Sequence, residues 1–114
     1  MLKNLKPEDQ DVIFTCVRAM VDGPFVVDEF FKNVMGRGQV TRQRARDLLQ
    51  QWDLLEDSSP MSDSFVLIHH TLNYLRFQLP GQPESVREWF GDLSKERIEA
   101  VFQAWCHSYP FIET

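Results

Sequence analysis

Cysteine, glycine and long apolar runs are scarce in this sequence. The 114 residues include two cysteines and five glycines, and no stretch of about 18 consecutive residues is apolar enough to cross a membrane. Two cysteines cannot build a disulfide-rich scaffold, and residues 1–6 lack the apolar stretch of a signal peptide. We therefore expect a cytoplasmic protein with no membrane association, in which Cys16 and Cys106 are small buried thiols rather than a disulfide.

Patterns that hold metals, phosphates or catalytic nucleophiles are also missing. The adjacent pairs His69-His70 and Cys106-His107 do not have the CxxC, HxxxH or HExxH spacing that directs two ligands to one ion. The Gly36-Arg37-Gly38 segment has neither the preceding strand nor the Lys-Ser/Thr pair of a phosphate-binding loop. We therefore expect no enzyme, no cofactor, no bound metal and no small-molecule substrate.

Apolar and aromatic residues, in contrast, are plentiful. Hydrophobic residues make up 43% of the chain, with nine Phe and three Trp. This is enough material for one hydrophobic core without a metal or disulfide staple, and the 25% of charged residues is ordinary for a globular protein. The sequence therefore predicts a single domain over residues 1–114.

Charge is unevenly distributed along the chain. Twelve basic and seventeen acidic residues give a formal net charge of −5, but no acid occurs between residues 32 and 46. That stretch holds five basic residues, so the other seven basic and seventeen acidic residues together carry −10. Such asymmetry is typical of a local basic patch on an acidic body, and it signals a charged partner. The five basic residues are Lys32, Arg37, Arg42, Arg44 and Arg46.

Helical periodicity divides the first half of the chain into three helices. Pro7 opens the first, Glu8 and Asp9 suit the positive end of its dipole, and Gly23-Pro24 ends it. A second, short helix runs over about residues 26–35. Its predicted buried side chains are Val27, Phe30, Phe31 and Val34.

The third helix, over about residues 41–53, combines an apolar stripe with a basic outer face. Thr41 is a good N-cap, because its hydroxyl can accept a backbone N–H that the first turn leaves unpaired. Apolar residues then recur at the i, i+3, i+4 and i+7 positions, which predicts that one face packs in the core. That stripe consists of Ala45, Leu48, Leu49 and Trp52.

The order of long helix, short helix, glycine-containing turn and basic helix resembles a tri-helical helix-turn-helix unit. The resemblance covers about residues 8–55 and implies that the third helix could meet phosphates or base edges. Residues 36–40 make a longer turn than the usual three or four residues of such units. In a winged-helix alternative, Leu54-Leu55 would pair with Phe65–Ile68 as a small β-hairpin.

The second half repeats the order of long, short and capped helix. Its apolar period favours a helix over about residues 63–78, Pro83 starts a fifth helix, and Ser94 caps a sixth. The sequence therefore predicts an all-α fold of six helices in two tri-helical, helix-turn-helix-like halves around one core. Residues 40–52 align with 93–105 at three identities, so 8–55 and 63–107 are candidate copies of an internal repeat, with convergent helix patterning as the alternative.

Two hypotheses for function follow from these patterns. The favoured one is a protein-interaction or regulatory adaptor module that binds a protein partner or forms a homodimer, because the body is acidic and aromatic residues gather near the chain end. Its candidate partner-binding residues are Tyr109 and Phe111. The alternative is a DNA-binding transcriptional regulator that uses residues 41–53. Its candidate nucleic-acid-binding residues are Lys32, Arg37, Thr41, Arg42, Gln43, Arg44 and Arg46.

The state of the arginines in residues 41–53 discriminates between these hypotheses. Free guanidinium groups on one exposed face would favour contact with phosphates. If acids such as Asp28, Glu29 or Asp47 pair with them, the helix loses its basic surface and the interaction hypothesis gains support.

Overall fold

The computed structural model describes residues 2–35, 39–77, 79 and 83–109. Within these ranges the chain forms six α-helices and two short 3₁₀ turns without a β-strand, which confirms the predicted all-α fold. The 3₁₀ turns span Leu2–Asn4 and Trp52–Leu54. The helices are α1 (Pro7–Asp22), α2 (Asp28–Val34), α3 (Arg42–Gln50), α4 (Asp63–Leu75), α5 (Pro83–Phe90) and α6 (Lys95–His107).

Side-chain caps and a glycine set several of the helix ends. The Thr41 hydroxyl accepts the backbone N–H of Arg44 at 3.2 Å, and the Ser94 hydroxyl accepts that of Arg97 at 3.1 Å. Each bond satisfies a donor that the first turn of a helix leaves without a partner. Gly91 follows α5 with a φ of 64°, a left-handed conformation that glycine adopts without strain. The caps that the sequence predicts for α3 and α6 are therefore present.

The segment after the Trp52–Leu54 turn is a helix rather than a wing. The Ser62 hydroxyl accepts the backbone N–H of Phe65 at 3.2 Å and starts α4, which includes all of residues 65–68. Ile68, Leu72 and Leu75 are buried at helical spacing, whereas a strand would turn alternate residues to solvent. The winged-helix alternative is therefore wrong.

Helix α1 is the centre of the molecule. It packs against α3, α4, α5 and α6, and α4 also packs against α6. The core contains Ile13 and Met20 of α1 together with the fully buried Trp105 of α6. Ile98, Val101, Phe102 and Trp105, at i, i+3, i+4 and i+7 positions of α6, are all buried.

Each of the two short helices, α2 and α5, also contacts a helix of the opposite half. Helix α2 packs against α3 of its own half and against α4 of the other half, while α5 packs against α1. Both halves therefore share one core, as predicted. Whether residues 8–55 and 63–107 arose by duplication stays a prediction.

Helix α2 buries fewer side chains than its sequence pattern predicts. Phe31 is fully buried and Val34 is partly buried, but Val27 is 72% exposed and Phe30 is 43% exposed. The prediction that Val27 and Phe30 are core residues is therefore wrong. Val27 precedes α2 as its N-cap residue, and a helix of seven residues has only one face against α3 and α4.

Trp52 lies at the edge of the core rather than inside it. Ala45 and Leu48 are buried and Leu49 is partly buried, as the predicted stripe requires. However, α3 ends at Gln50, and Trp52 is in the following 3₁₀ turn, where it is partly buried. Its ring is therefore available to line a surface groove.

Two further sequence predictions concern membranes and thiols. None of the helices in the described ranges has the length and apolar character required to span a bilayer. Cys16 and Cys106 are both buried free thiols, as predicted.

Candidate functional site

Arg42, the first residue of α3, is turned toward the protein rather than toward solvent. Its guanidinium donates hydrogen bonds to the carbonyl oxygens of Val21 at 2.6 Å and Met20 at 3.3 Å, both in the last turn of α1, and also to that of Val26. Its Nε donates to the Asp28 carboxylate at 2.6 Å. With its side chain only 12% exposed, Arg42 joins α1 to α2 and is not free to contact a nucleic acid.

The other two arginines of α3 also have acidic partners. Nε of Arg44 donates to the Asp63 carboxylate at 2.9 Å, and Nε of Arg46 lies 3.5 Å from a carboxylate oxygen of Asp22. These two pairs are partly exposed. Each of the three arginines of α3 therefore has an acidic partner from another part of the chain, and Arg42 is the one whose side chain is mostly buried.

The remaining nucleic-acid candidates are dispersed. Gln43 donates to the Asp47 carboxylate at 3.1 Å within α3, and Thr41 caps the same helix. Lys32 is exposed on α2, and Arg37 lies outside the described residues. The candidates at positions 41–46 thus lie at α3 and Lys32 lies on α2, and the described ones do not form a continuous basic surface.

Tyr109 is buried, so the expectation that it offers a surface ring to a partner is wrong. It is 2% exposed, and its hydroxyl donates to the buried Asp57 carboxylate at 2.6 Å. Asp57 also accepts the backbone N–H of Leu2 at 2.6 Å. Burial, followed by the adjacent Asp57, raises the pKa of Tyr109. Tyr109 therefore fastens the end of α6 to the N-terminal turn, and Phe111 lies outside the described residues.

Exposed apolar side chains occur beside α1 and α3. Phe14 of α1 is 37% exposed and meets the Trp52 ring edge-on, with 5.2 Å between the ring centroids and 72° between the planes. Leu54, two residues after Trp52, is 82% exposed. Leu49 and Trp52 are partly buried and connect these exposed groups to the core.

Two grooves meet at Trp52. One, of about 580 Å³, lies between α1 and the end of α3, and the other, of about 520 Å³, continues to the N-terminal 3₁₀ turn. Both grooves are lined by Gln10, Trp52 and Asp53. Asp11 lines the first groove and Glu56 lines the second. We name this surface the Trp52 face, defined by apolar Phe14, Leu49, Trp52 and Leu54 with acidic Asp11, Asp53 and Glu56.

The acids of the Trp52 face carry unbalanced charge. Asp11 and Asp53 are exposed, and neither forms an ion pair within the described part of the chain. Glu56 accepts hydrogen bonds from the hydroxyl and the backbone N–H of Ser58, and these bonds lower the pKa of Glu56. Lys3 is the basic side chain among the described residues that line the two grooves. The surface is therefore apolar at its centre and negative along these two grooves, whereas Arg18 and Arg46 line a neighbouring groove that shares Phe14 and Leu49.

The thiols of Cys16 and Cys106 are buried, and His69 is engaged in a hydrogen bond. Burial raises the pKa of Cys16 to about 12 and also raises the pKa of Cys106, which keeps both thiols protonated. His69 uses Nδ1 to accept the indole N–H of Trp105 at 3.2 Å. In the described part of the chain, no three His, Cys, Asp or Glu side chains are grouped so that they could hold a metal ion.

Sequence reasoning missed the Trp52 face, although one local signal was present. Phe14 is an aromatic residue one position away from the inward stripe of α1, which includes Ile13 and Val17. An aromatic side chain off the core stripe marks a surface position with apolar character. The exposure of Leu54 had no such signal, because it depends on the change from α3 to a 3₁₀ turn.

Comparisons with known proteins add no functional information. No protein-family model, no curated protein and no solved structure matches this chain. Its function has to be inferred from its own contacts and charges.

Proposed function

We propose that this chain is a protein-interaction module, a small adaptor or regulator, and that the Trp52 face is its contact surface. One observation carries the proposal: the three arginines of α3 are paired with acids of the same chain, while Phe14 and Leu54 are exposed on one groove. The arginine side chains that nucleic-acid binding would use form contacts within the protein. The exposed apolar side chains of Phe14 and Leu54 are available to contact a partner.

Internal pairing weakens the case for DNA binding by α3. Proteins gain most of their affinity for DNA when Lys and Arg neutralise phosphates and release counterions. Arg42 would first have to leave the carbonyl oxygens at the end of α1, and Arg44 and Arg46 would have to leave their carboxylates. The net charge of −5 also opposes approach to DNA. DNA binding remains the alternative that the experiments must test.

The Trp52 face has the anatomy of a protein interface. Contact surfaces typically have an apolar centre with aromatic anchors and a polar rim, and a few central side chains supply most of the binding energy. Trp52 and Phe14 are aromatic groups at the centre, Leu54 projects into solvent, and Asp11 and Asp53 stand at the rim.

A photo-cross-linking experiment tests the contact surface. The photoreactive amino acid p-benzoylphenylalanine replaces Leu54 in one variant and exposed Glu88 of α5 in a matched control. Irradiation in extracts of the source cells should give a discrete protein adduct from position 54 and none from position 88. Equal labelling from both positions, or none from position 54, would contradict the proposed surface.

A DNA-binding measurement tests the alternative. Fluorescence anisotropy with random-sequence duplex at low salt should show no saturable binding. If three phosphate contacts formed, log affinity would fall against log salt concentration with a slope of about −3. Such binding, abolished by the paired substitutions Arg44→Ala and Arg46→Ala, would replace the interaction hypothesis with DNA recognition.

A further inference from the structure

The charge and shape of the Trp52 face specify a class of partner. We infer that this face receives an amphipathic helix of another protein, whose apolar anchors are flanked on both sides by Lys or Arg. This inference rests on the proposed function, and it goes further because it fixes the chemistry of the partner.

The shape of the first groove favours a helix. Its walls are α1, through Gln10 and Phe14, and the end of α3 with the following turn, through Leu49 and Leu54. A groove between two neighbouring helices can receive the ridge of a third, and an amphipathic helix presents its i, i+3, i+4 and i+7 residues as such a ridge. Phe14, Leu49 and Leu54 would then contact this apolar ridge.

Unpaired acids on both walls favour a basic helix. Asp11 stands on the α1 wall, and Asp53 stands on the wall of the 3₁₀ turn. Neither has a cation partner in the described ranges, so each can pair with a Lys or Arg beside the apolar ridge. Glu56 extends the same negative charge along the second groove. An acidic helix would meet repulsion from this rim and from the net charge of −5.

The same charges disfavour a second copy of this chain as the occupant. In a two-fold symmetric dimer, each surface patch meets itself. Asp11, Asp53 and Glu56 of one copy would then gather with the same acids of the other copy, and like charges in close contact are destabilising. Arg42 cannot compensate, because its guanidinium is held by the carbonyl oxygens at the end of α1 and by Asp28.

Three synthetic peptides of 18 residues probe the inference. The first has Leu and Phe at i, i+3, i+4 and i+7 positions with Lys on both flanks, the second replaces every Lys by Glu, and the third scrambles the first. Titration into the isotope-labelled protein is followed by NMR. The Lys peptide should shift the backbone signals of Phe14 and Asp53 and the indole signal of Trp52, and its affinity should fall as salt concentration rises.

Matched variants separate local charge from total charge. Asp11→Asn with Asp53→Asn should weaken binding of the Lys peptide about 3-fold to 30-fold, since each rim charge contributes modestly. Glu84→Gln with Glu88→Gln removes the same charge from exposed positions on α5 and should change affinity about 2-fold or less.

A second matched pair tests the apolar contact. Leu54→Ser should weaken binding of the Lys peptide about 10-fold, as expected for an interface anchor. Phe77→Ser removes a similarly exposed apolar side chain outside the Trp52 face and should have little effect. Because Leu54 is mostly exposed, the substitution leaves the core intact.

Several results would overturn the inference. They are equal or tighter binding of the Glu peptide, failure of all three peptides to bind, signal shifts that map to Val27 and Phe30, and concentration-dependent self-association through the Trp52 face. The cross-link from position 54 is measured independently. A positive cross-link with no peptide binding would therefore reject the basic helix and retain the interaction function.

Discussion

Arg42 has the same charge as Arg44 and Arg46 but a different role. Its planar guanidinium has donors that point in several directions, and it uses them on three backbone carbonyl oxygens and one carboxylate. Two of those oxygens, from Met20 and Val21, belong to the end of α1, where the helix leaves its carbonyls without intrahelical partners. A positive charge there also suits the negative end of the helix dipole. Arg42 thus caps α1 from another helix.

Replacing Arg42 should therefore destabilise the fold far more than replacing Arg46 of the same helix. Arg42→Ala leaves partly buried carbonyls unpaired, and we expect the free energy of unfolding to fall by about 2–4 kcal/mol. Arg42→Lys should recover only part of this loss, because an ammonium group lacks the planar fork. Arg46→Ala removes an exposed pair and should cost about 0.5 kcal/mol or less. Urea unfolding followed by circular dichroism measures all three, and equal losses for Arg42→Ala and Arg46→Ala would refute the capping role.

At the scale of elements, a hydrogen bond between His69 and Trp105 links α4 to α6. Nδ1 of His69 accepts the indole N–H, so the neutral ring carries its proton on Nε2. The His69 ring also stacks on Phe65, with 5.1 Å between the centroids. Burial first, and then the positive charges of His70 and Arg76, lower the pKa of His69. Protonation would remove the acceptor at Nδ1 and place a charge in this aromatic contact.

The packing of α4 on α6 should therefore weaken in acid. Because the folded-state pKa of His69 lies below its ordinary value of about 6.5, the unfolded chain binds the proton more readily. The contribution of neutral His69 to the free energy of unfolding is complete above about pH 6.5. This contribution is lost as the pH falls through the lowered pKa of the folded state. Burial also lowers the pKa of His70, so protonation of His70 in acid should reduce the stability of the fold as well.

His69→Gln should reduce this pH dependence, because glutamine offers a carbonyl acceptor to Trp105 and does not titrate. Urea unfolding at pH 7.5 and pH 5.5 gives the change in stability for each protein. The indole N–H signal of Trp105 should shift with pH in the wild type and in His70→Gln, but not in His69→Gln. The same pH-dependent shift in His69→Gln would show that another group controls the contact.

The starts of several helices were predictable from sequence because local chemistry determines them, whereas α3 ends at Gln50 rather than near residue 53. Pro7, Thr41 and Ser94 begin helices for reasons contained within a few residues, namely a missing donor or a capping hydroxyl. Which face of a short helix is covered depends on neighbours distant in sequence. The α2 pattern alone predicts Val27 and Phe30 in the core, but both are exposed.

For the whole molecule, charge pairing was the part that sequence reasoning could only partly anticipate. Asp28 was an expected partner for the arginines, and it pairs with Arg42. Asp22 at the end of α1 and Asp63 at the start of α4 pair with Arg46 and Arg44, and only the folded chain brings these acids near α3. The three arginines of α3 in the basic run are therefore engaged in internal contacts, and we expect the unpaired acids of the Trp52 face to influence which partners the surface attracts.

The central position of α1 makes Cys16 a reporter of the whole fold. Cys16 is fully buried in a helix that packs against four others, and burial raises its pKa to about 12. A thiol reagent needs both access and a thiolate, so it should reach Cys16 only when most of the core has opened. Cys106, also buried, lies near the end of α6 and should be reached through more local opening.

Labelling at pH 8 with an aromatic disulfide reagent should show this order. In buffer, Cys16 should react much more slowly than Cys106, and both should react rapidly in denaturing urea. At low urea concentrations the labelling rate of Cys16 should rise in proportion to the unfolded population, because opening then limits access. Mass spectrometry of the labelled peptides assigns each site. Rapid labelling of Cys16 in buffer, or a Cys16 rate insensitive to the destabilising substitution Arg42→Ala, would show that α1 opens without global unfolding.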